Sequence, residues 1–225
     1  MPPTTTEQIH AGQAIYTPNM LAIYDVLVLG LSNRWIWKSP TPRLLAHYDR
    51  HISGNHLDVG VGTGYFLDRC RFPTATPRVA LMDLNRDALQ FSARRIARYA
   101  PETYARNVLE TIDFDGAKFD SLGVNYLLHC LPGDMATKAR AFDFLSPLMS
   151  PGAVVFGSTL LQGGVARSFA AQRLMAFYNS KGVFSNTQDD LETLTRELEK
   201  RFDAVSVETV GCAALFSATV KGSGA

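Results

Sequence analysis

The sequence predicts an α/β domain built on a mostly parallel sheet, and three observations carry that expectation. From residue 55 onward, apolar runs of strand length alternate with longer stretches of helical periodicity. The first of these strands ends in a glycine-rich turn, H-L-D-V-G-V-G-T-G-Y over residues 56–65, that leads directly into a helix. The last two strands are separated by Gly211 and Cys212 alone. Two residues cannot hold a helical crossover, so this pair must run antiparallel.

Taken in order, the strands are predicted at 56–59, 78–83, 103–106, 121–125, 153–159, 204–210 and 213–220, with helices at 64–71, 85–99, 134–148, 165–181 and 189–201. Pro101 follows the second helix, and Pro147, Pro151 and Gly152 break the chain before the fifth strand. Thr187-Gln188-Asp189-Asp190 reads as a capping-box variant opening the last helix, where Leu191, Leu194 and Leu198 mark one buried face. Residues 1–54 lie outside this alternation. They offer helices at 20–29 and 41–50 joined by 33–40, and are expected to form an N-terminal helical cap over a sheet domain spanning 55–225.

Bulk composition narrows the function. The chain has 225 residues, 46% of them hydrophobic and 19% charged, which suits one globular domain with a small cap. A formal net charge of +1 calls for neither nucleic acid nor an anionic membrane. The three cysteines, Cys70, Cys130 and Cys212, form no CxxC pair, so a reducing compartment is expected rather than a disulfide framework or a zinc site. The first ten residues lack a basic region followed by an apolar one, and the apolar run at 20–31 is too short to span a bilayer. A cytoplasmic protein is expected, with a homodimer left open.

The glycine turn carries the chemistry. A strand that ends in Asp-x-Gly-x-Gly-x-Gly aims backbone N–H groups at a ligand beyond the carboxyl edge of the sheet. Dinucleotide spacing would require a third glycine at position 65 or 67, which are Tyr65 and Leu67, and no Gly-Lys-Ser/Thr phosphate loop exists. Asp58-Val59-Gly60-Val61-Gly62-Thr63-Gly64 instead resembles the first motif of the class I S-adenosylmethionine (SAM)-dependent methyltransferases. A β-carbon in that turn would collide with the ligand or force an unfavourable φ, although a tight turn without a ligand is the plainer alternative.

The resemblance extends along residues 55–220. It implies a Rossmann-like seven-stranded sheet of order 3-2-1-4-5-7-6, strand 7 antiparallel, with helices on both faces. It implies that Asp83, ending the second strand before Leu84, accepts the ribose hydroxyls, for which a carboxylate has the necessary lone pairs. Asn107 and the Val108 amide match the adenine contacts, and Asn125, at the polar end of the fourth strand, flanks the methionine portion. Asp58, Gly60, Gly62 and Gly64 complete that cofactor set; outside the resemblance, Tyr16 of the cap is a further candidate to reach SAM.

Methyl transfer from a sulfonium needs alignment and water exclusion, and an O–H or N–H acceptor must also lose a proton. His129, with Tyr126 three residues earlier, is the candidate base; holding geometry is the alternative. Tyr24 and Asp25 in the cap either reach the acceptor pocket or lie on an exposed helix face. Trp35 and Trp37 either wall that pocket or serve packing. Asn125 stands where a metal-dependent site would carry a carboxylate, so no metal is expected. The expected reaction is methylation of a small organic acceptor at O, N or C, with S-adenosylhomocysteine (SAH) as product and with the general look of enzymes that tailor secondary metabolites. A SAM-binding catalyst of rearrangement, or a non-catalytic SAM-binding subunit, shares the same cofactor motif.

Overall fold

The structure, a computed structural model, describes residues 25–222, with side chains from residue 29. Seven strands form one sheet: β1 (Asn55–Val59), β2 (Arg78–Asp83), β3 (Glu102–Ala105), β4 (Phe119–Asn125), β5 (Met149–Leu160), β6 (Phe202–Val210) and β7 (Ala213–Val220). Their order is β3-β2-β1-β4-β5-β7-β6. Neighbours from β3 to β5 are parallel, and β7 lies antiparallel to both β5 and β6, as the resemblance implied. The chain runs outward from β1 to β3 and then returns to β4. This leaves a crevice between β1 and β4 at the carboxyl edge, where open α/β sheets bind ligands.

Period-two alternation divides the core between the two faces. Leu57, Val59, Ala80, Met82, Leu122 and Val124 point to one side, where α4 (Met135–Ala139), α5 (Ala141–Leu145) and α7 (Leu191–Arg201) cover them. Val79, Leu81 and Phe156 point to the other, beneath α1 (Thr41–His51), α2 (Tyr65–Arg69) and α3 (Arg86–Arg95). The remaining helix, α6 (Phe169–Ser180), buries Ala171 and Met175 with Trp37, Leu44 and Leu215. Four helices begin on a side chain that accepts backbone N–H groups: Asn85 for α3, Asp134 for α4, Ser168 for α6 and Asp190 for α7.

Several boundaries differ from expectation for local reasons. The helix predicted over 134–148 divides into α4 and α5, because the Arg140 amide bonds to Thr137 O and tightens the chain there. Strand β5 begins at Met149 rather than 153. Its pairing jumps from Phe119–Met149 to Ser121–Val154, so Pro151 and Gly152 ride in a bulge instead of ending the strand. Strand β6 begins at Phe202, whose ring packs edge-on to Phe142 at 5.5 Å. In the cap, Asp25–Ile36 is wound as a π-helix, so the helical run crosses into the stretch read as a connector. The predicted helix at 20–29 otherwise falls outside the described residues.

Helix α1, read as part of the cap, is built into the domain. Its Leu44, His47 and Tyr48 are buried, and the His47 ring bonds to Phe216 O at 2.9 Å.

Candidate functional site

Two cavities open at the crevice, on either side of the glycine turn, and both are lined by Gly60, Gly62 and Tyr126. The turn is held by its neighbours. The Gly60 amide donates to Met82 O at 2.9 Å, the Gly64 amide to Val61 O at 2.8 Å, and Ser92 Oγ to Gly62 O at 3.0 Å. Gly60 has φ +73°, and a β-carbon there would meet the Leu127 side chain at 2.9 Å. Gly62 has φ +51°, yet a β-carbon there would meet nothing within 4 Å. The space beside Gly62 is therefore open on the cavity side.

The first cavity is floored by Asp83, Leu84, Asn107, Val108 and Leu109, with Cys130, Leu131 and Pro132 along one wall. Asp83 accepts the Asn85 amide at 2.8 Å, and the amides of Val61, Gly62 and Leu84 also favour its anion. One carboxylate thus draws the glycine turn toward the end of β2. Burial pushes its pKa up to about 6 against the pull of those four N–H groups. Asn107 folds back on its own turn, its Oδ1 accepting the Leu109 amide at 3.1 Å and its Nδ2 donating to Glu110 at 2.7 Å.

The second cavity is lined by Asp58, Thr63, Tyr65, Phe66, Asn125 and, from the cap, Leu29. Asn125 is 9% exposed; its Oδ1 accepts a hydrogen bond from Ser158 Oγ at 3.1 Å, but its Nδ2 has no partner among the described residues. A buried, unpaired amide on a cavity wall costs free energy that a ligand acceptor would recover. Asp58 has its Oδ2 bonded by the Tyr48 hydroxyl from α1.

Tyr126 separates the cavities. Its φ of +57° is rare for a bulky residue, and its hydroxyl donates to Asn33 Oδ1 at 3.0 Å. Asn33 Nδ2 in turn donates to Thr41 Oγ1 at 3.0 Å, so the junction of the cavities is tied to the cap and to α1. Burial holds this phenol well above the ordinary tyrosine range.

The orientation expected for His129 is corrected. It is 3% exposed and lines neither cavity; its neighbours Leu127 and Cys130 do. Its Nδ1 accepts the Leu160 amide at 3.3 Å, and its ring packs on Phe184 at 4.6 Å and Tyr126 at 5.5 Å. The short helical turn at Leu128–Cys130 swings the imidazole under Tyr126. Burial, and then the charge of Lys138, lower its pKa to about 3.

The two tryptophans also lie away from the cavities. Trp37 is buried against Phe184 at 6.2 Å, whereas Trp35 is 61% exposed with Arg34 and Lys38 over its ring. Tyr16 and Tyr24, and the side chain of Asp25, lie outside the described residues. Tyr48, Asn33 and Leu29 escaped sequence reading. Each comes from the segment before β1, which no motif covers.

A sheet of this order, with a glycine turn and a strand-ending carboxylate around a divided crevice, is the architecture of class I methyltransferases. The comparisons agree. A methyltransferase domain model matches residues 57–155. The demethylluteothin O-methyltransferase of Streptomyces thioluteus is 36% identical over 94% of this chain and 92% of its own length. The physcion biosynthesis cluster O-methyltransferase of Aspergillus chevalieri is 37% identical over 96% of each. Among solved structures, a DhpI complex with SAH superposes with a TM-score of 0.70 at 16% identity, covering 98% of this chain and all of that one. The chain belongs to the SAM-dependent methyltransferases, and SAM is its cofactor. The residues present fit that group: the open space beside Gly62 and the Asn125 amide, which no described residue pairs, suit a ligand with a carboxylate tail.

Proposed function

We propose that this protein transfers a methyl group from SAM to an oxygen atom of a small organic acceptor. The observation that carries the reading is the divided crevice, with a cavity at Asp83 on one side of Gly62 and, on the other, the Asn125 amide that no described residue pairs. Oxygen as the accepting atom is supported by relatives that are named O-methyltransferases along nearly their whole length.

In this reading Asp83, Leu84, Asn107 and the Val108 amide hold the adenosine portion. Asp58 and Asn125 hold the amino-acid end, and Gly60, Gly62 and Gly64 keep the main chain close between them. The bound cofactor supplies an electrophilic methyl group on a sulfonium. What the chain supplies is alignment and dryness: Leu29, Phe66, Leu127 and Leu131 surround the polar contacts with apolar surface.

His129 and Tyr126 then act by position rather than as bases. An imidazole whose conjugate acid has a pKa of about 3 is a weak proton acceptor, and the Tyr126 hydroxyl is engaged with Asn33. The lid role belongs to the segment before Trp37, with Tyr16, Tyr24 and Asp25 as its contacts, because α1 is part of the core. No helix among the described residues is long and apolar enough to cross a membrane. A cytoplasmic enzyme without a nucleic-acid partner, working alone or as a homodimer, completes the proposal.

The test uses purified protein, SAM labelled with carbon-13 on the methyl group, and a panel of phenols and enols. Formation of SAH, a product heavier by one methylene and a carbon resonance of the oxygen-bound type support the reading. Methyl transfer only to nitrogen or carbon, or SAH formation without a methylated product, overturns it.

A further inference from the structure

A polar seam crosses the otherwise apolar core between β1 and β4. Residues two apart on one strand share a face, and the register sets His56 opposite Ser121 and Asp58 opposite Gly123. The seam continues without a gap. Ser121 Oγ lies 2.8 Å from His56 Nδ1, His56 Nε2 lies 3.0 Å from the Tyr48 hydroxyl, and that hydroxyl donates to Asp58 Oδ2. Ser121, His56 and Tyr48 have no exposed surface, and Asp58 retains 6%, on the wall of the second cavity. Gly123 leaves room for the row, since a β-carbon there would stand 3.2 Å from the His56 ring and 3.3 Å from Asp58 Oδ2.

Proton counting gives the row a direction. The Tyr48 hydroxyl has one proton and directs it at Asp58, so His56 Nε2–H donates to the phenolic oxygen. In that tautomer His56 accepts at Nδ1 from Ser121 O–H. Ser121 Oγ in turn receives the Ser53 amide at 2.9 Å. Every donor points toward the carboxylate. Burial first, and then the Asp58 charge, hold the Tyr48 phenol well above its ordinary range, so it remains a donor. Phe156 packs against both the His56 and Tyr48 rings, fixing their planes.

We propose that Ser121, His56 and Tyr48 are positioning residues that hold the Asp58 carboxylate in one rotamer, so that it receives the ammonium group of the cofactor's amino-acid end. A nearly buried carboxylate without such a donor would be free to turn, and its aim at a cation would be lost. The inference rests on the placement of the amino-acid end in the second cavity. It adds that α1, through Tyr48, sets the affinity for that end alone.

The test is calorimetric titration of the full chain with SAH and with 5′-methylthioadenosine, which has the nucleoside but no amino-acid end. Tyr48→Phe removes one hydroxyl. It is expected to weaken SAH about tenfold, the size of one charge-assisted hydrogen bond, while leaving 5′-methylthioadenosine within about twofold. In an Asp58→Asn background the same change should add nothing further. His56→Leu should repeat the selective loss and His56→Gln, which keeps an amide donor for Tyr48, should restore it; this pair serves should Tyr48→Phe fail to fold. Equal weakening of both ligands, or SAH affinity unchanged in Tyr48→Phe beside a weakened Asp58→Asn, overturns the relay alone. Unchanged SAH affinity in Asp58→Asn overturns the placement of the amino-acid end and the relay with it.

Discussion

Asp83 does two things with one carboxylate. It accepts the Asn85 amide and draws the amides of Val61, Gly62 and Leu84 toward the end of β2, and it faces the first cavity where the ribose hydroxyls are proposed to bind. Both tasks need the ionised form, because a protonated carboxyl offers a donor where acceptors are wanted. With its pKa raised to about 6 by burial, the group is half protonated near that pH before any ligand arrives. Ligand hydroxyls that bind the anion must therefore displace a proton below pH 6. SAH affinity is expected to be flat from pH 8 to about 7 and to fall about tenfold per pH unit well below 6. Calorimetry in buffers of different ionisation enthalpy should show proton release on binding near pH 5.5, and Asp83→Asn should bind more weakly but without the pH slope. The sign for folding is opposite. A folded pKa above the ordinary value of 3.8 gives a stability contribution that is present below that value and is lost as pH rises toward 6.

Between β4 and α7, tertiary packing decides what local pattern could not. Lys138 and Asp189 are both fully buried and paired at 2.6 Å, and Lys138 Nζ also donates to Ser185 O. The Ser185 amide donates to His129 O at 2.9 Å, so this ion pair clamps the loop before α7 onto the turn that carries His129 and Cys130. Asp189→Asn strands a buried ammonium and is expected to cost about 3–5 kcal/mol in urea unfolding, whereas Lys138→Met with Asp189→Leu should recover most of that loss. A double variant no more stable than the single one would show that the two charges are not coupled. The sequence marked Asp189 only as one of two acids in a capping pattern. The cap is in fact Asp190, and nothing local reveals that its neighbour turns inward to a lysine 51 residues away. The same limit applies to His129, whose spacing past β4 was legible but whose inward rotation depends on Phe184 and Leu160. What could be read was what the main chain requires locally: the glycine turn, the acid ending β2 and the closing hairpin, whose resemblance to a known family implied the sheet order.

The sequence divided the chain at residue 54 into a lid and a sheet domain, and the packing gives that division a testable form. At the turn between β6 and β7 the Cys212 amide donates to Trp37 O at 2.8 Å, and Cys212 O accepts the Leu161 amide at 2.9 Å. A β-carbon on Gly211 would come within 2.2 Å of the Trp37 carbonyl, so the hairpin between β6 and β7 is seated tightly on the segment before α1. Leu44 and Tyr48 of α1 bury themselves in two of the three apolar clusters. Loss of this segment would thus open both clusters to water, and it should unfold together with the sheet. The chain has two tryptophans, Trp35 and Trp37, both ahead of β1. Tryptophan fluorescence therefore reports on this segment alone, and far-UV circular dichroism on all helices and strands. Urea transitions followed by the two signals are expected to coincide. SAH at a hundredfold excess over its Kd should raise both by about 2.7 kcal/mol, because the ligand binds only where segment and sheet are joined. A fluorescence transition at lower urea, unmoved by SAH, would instead make residues up to 54 a separately folding lid and would remove Tyr48 from any part in holding the cofactor.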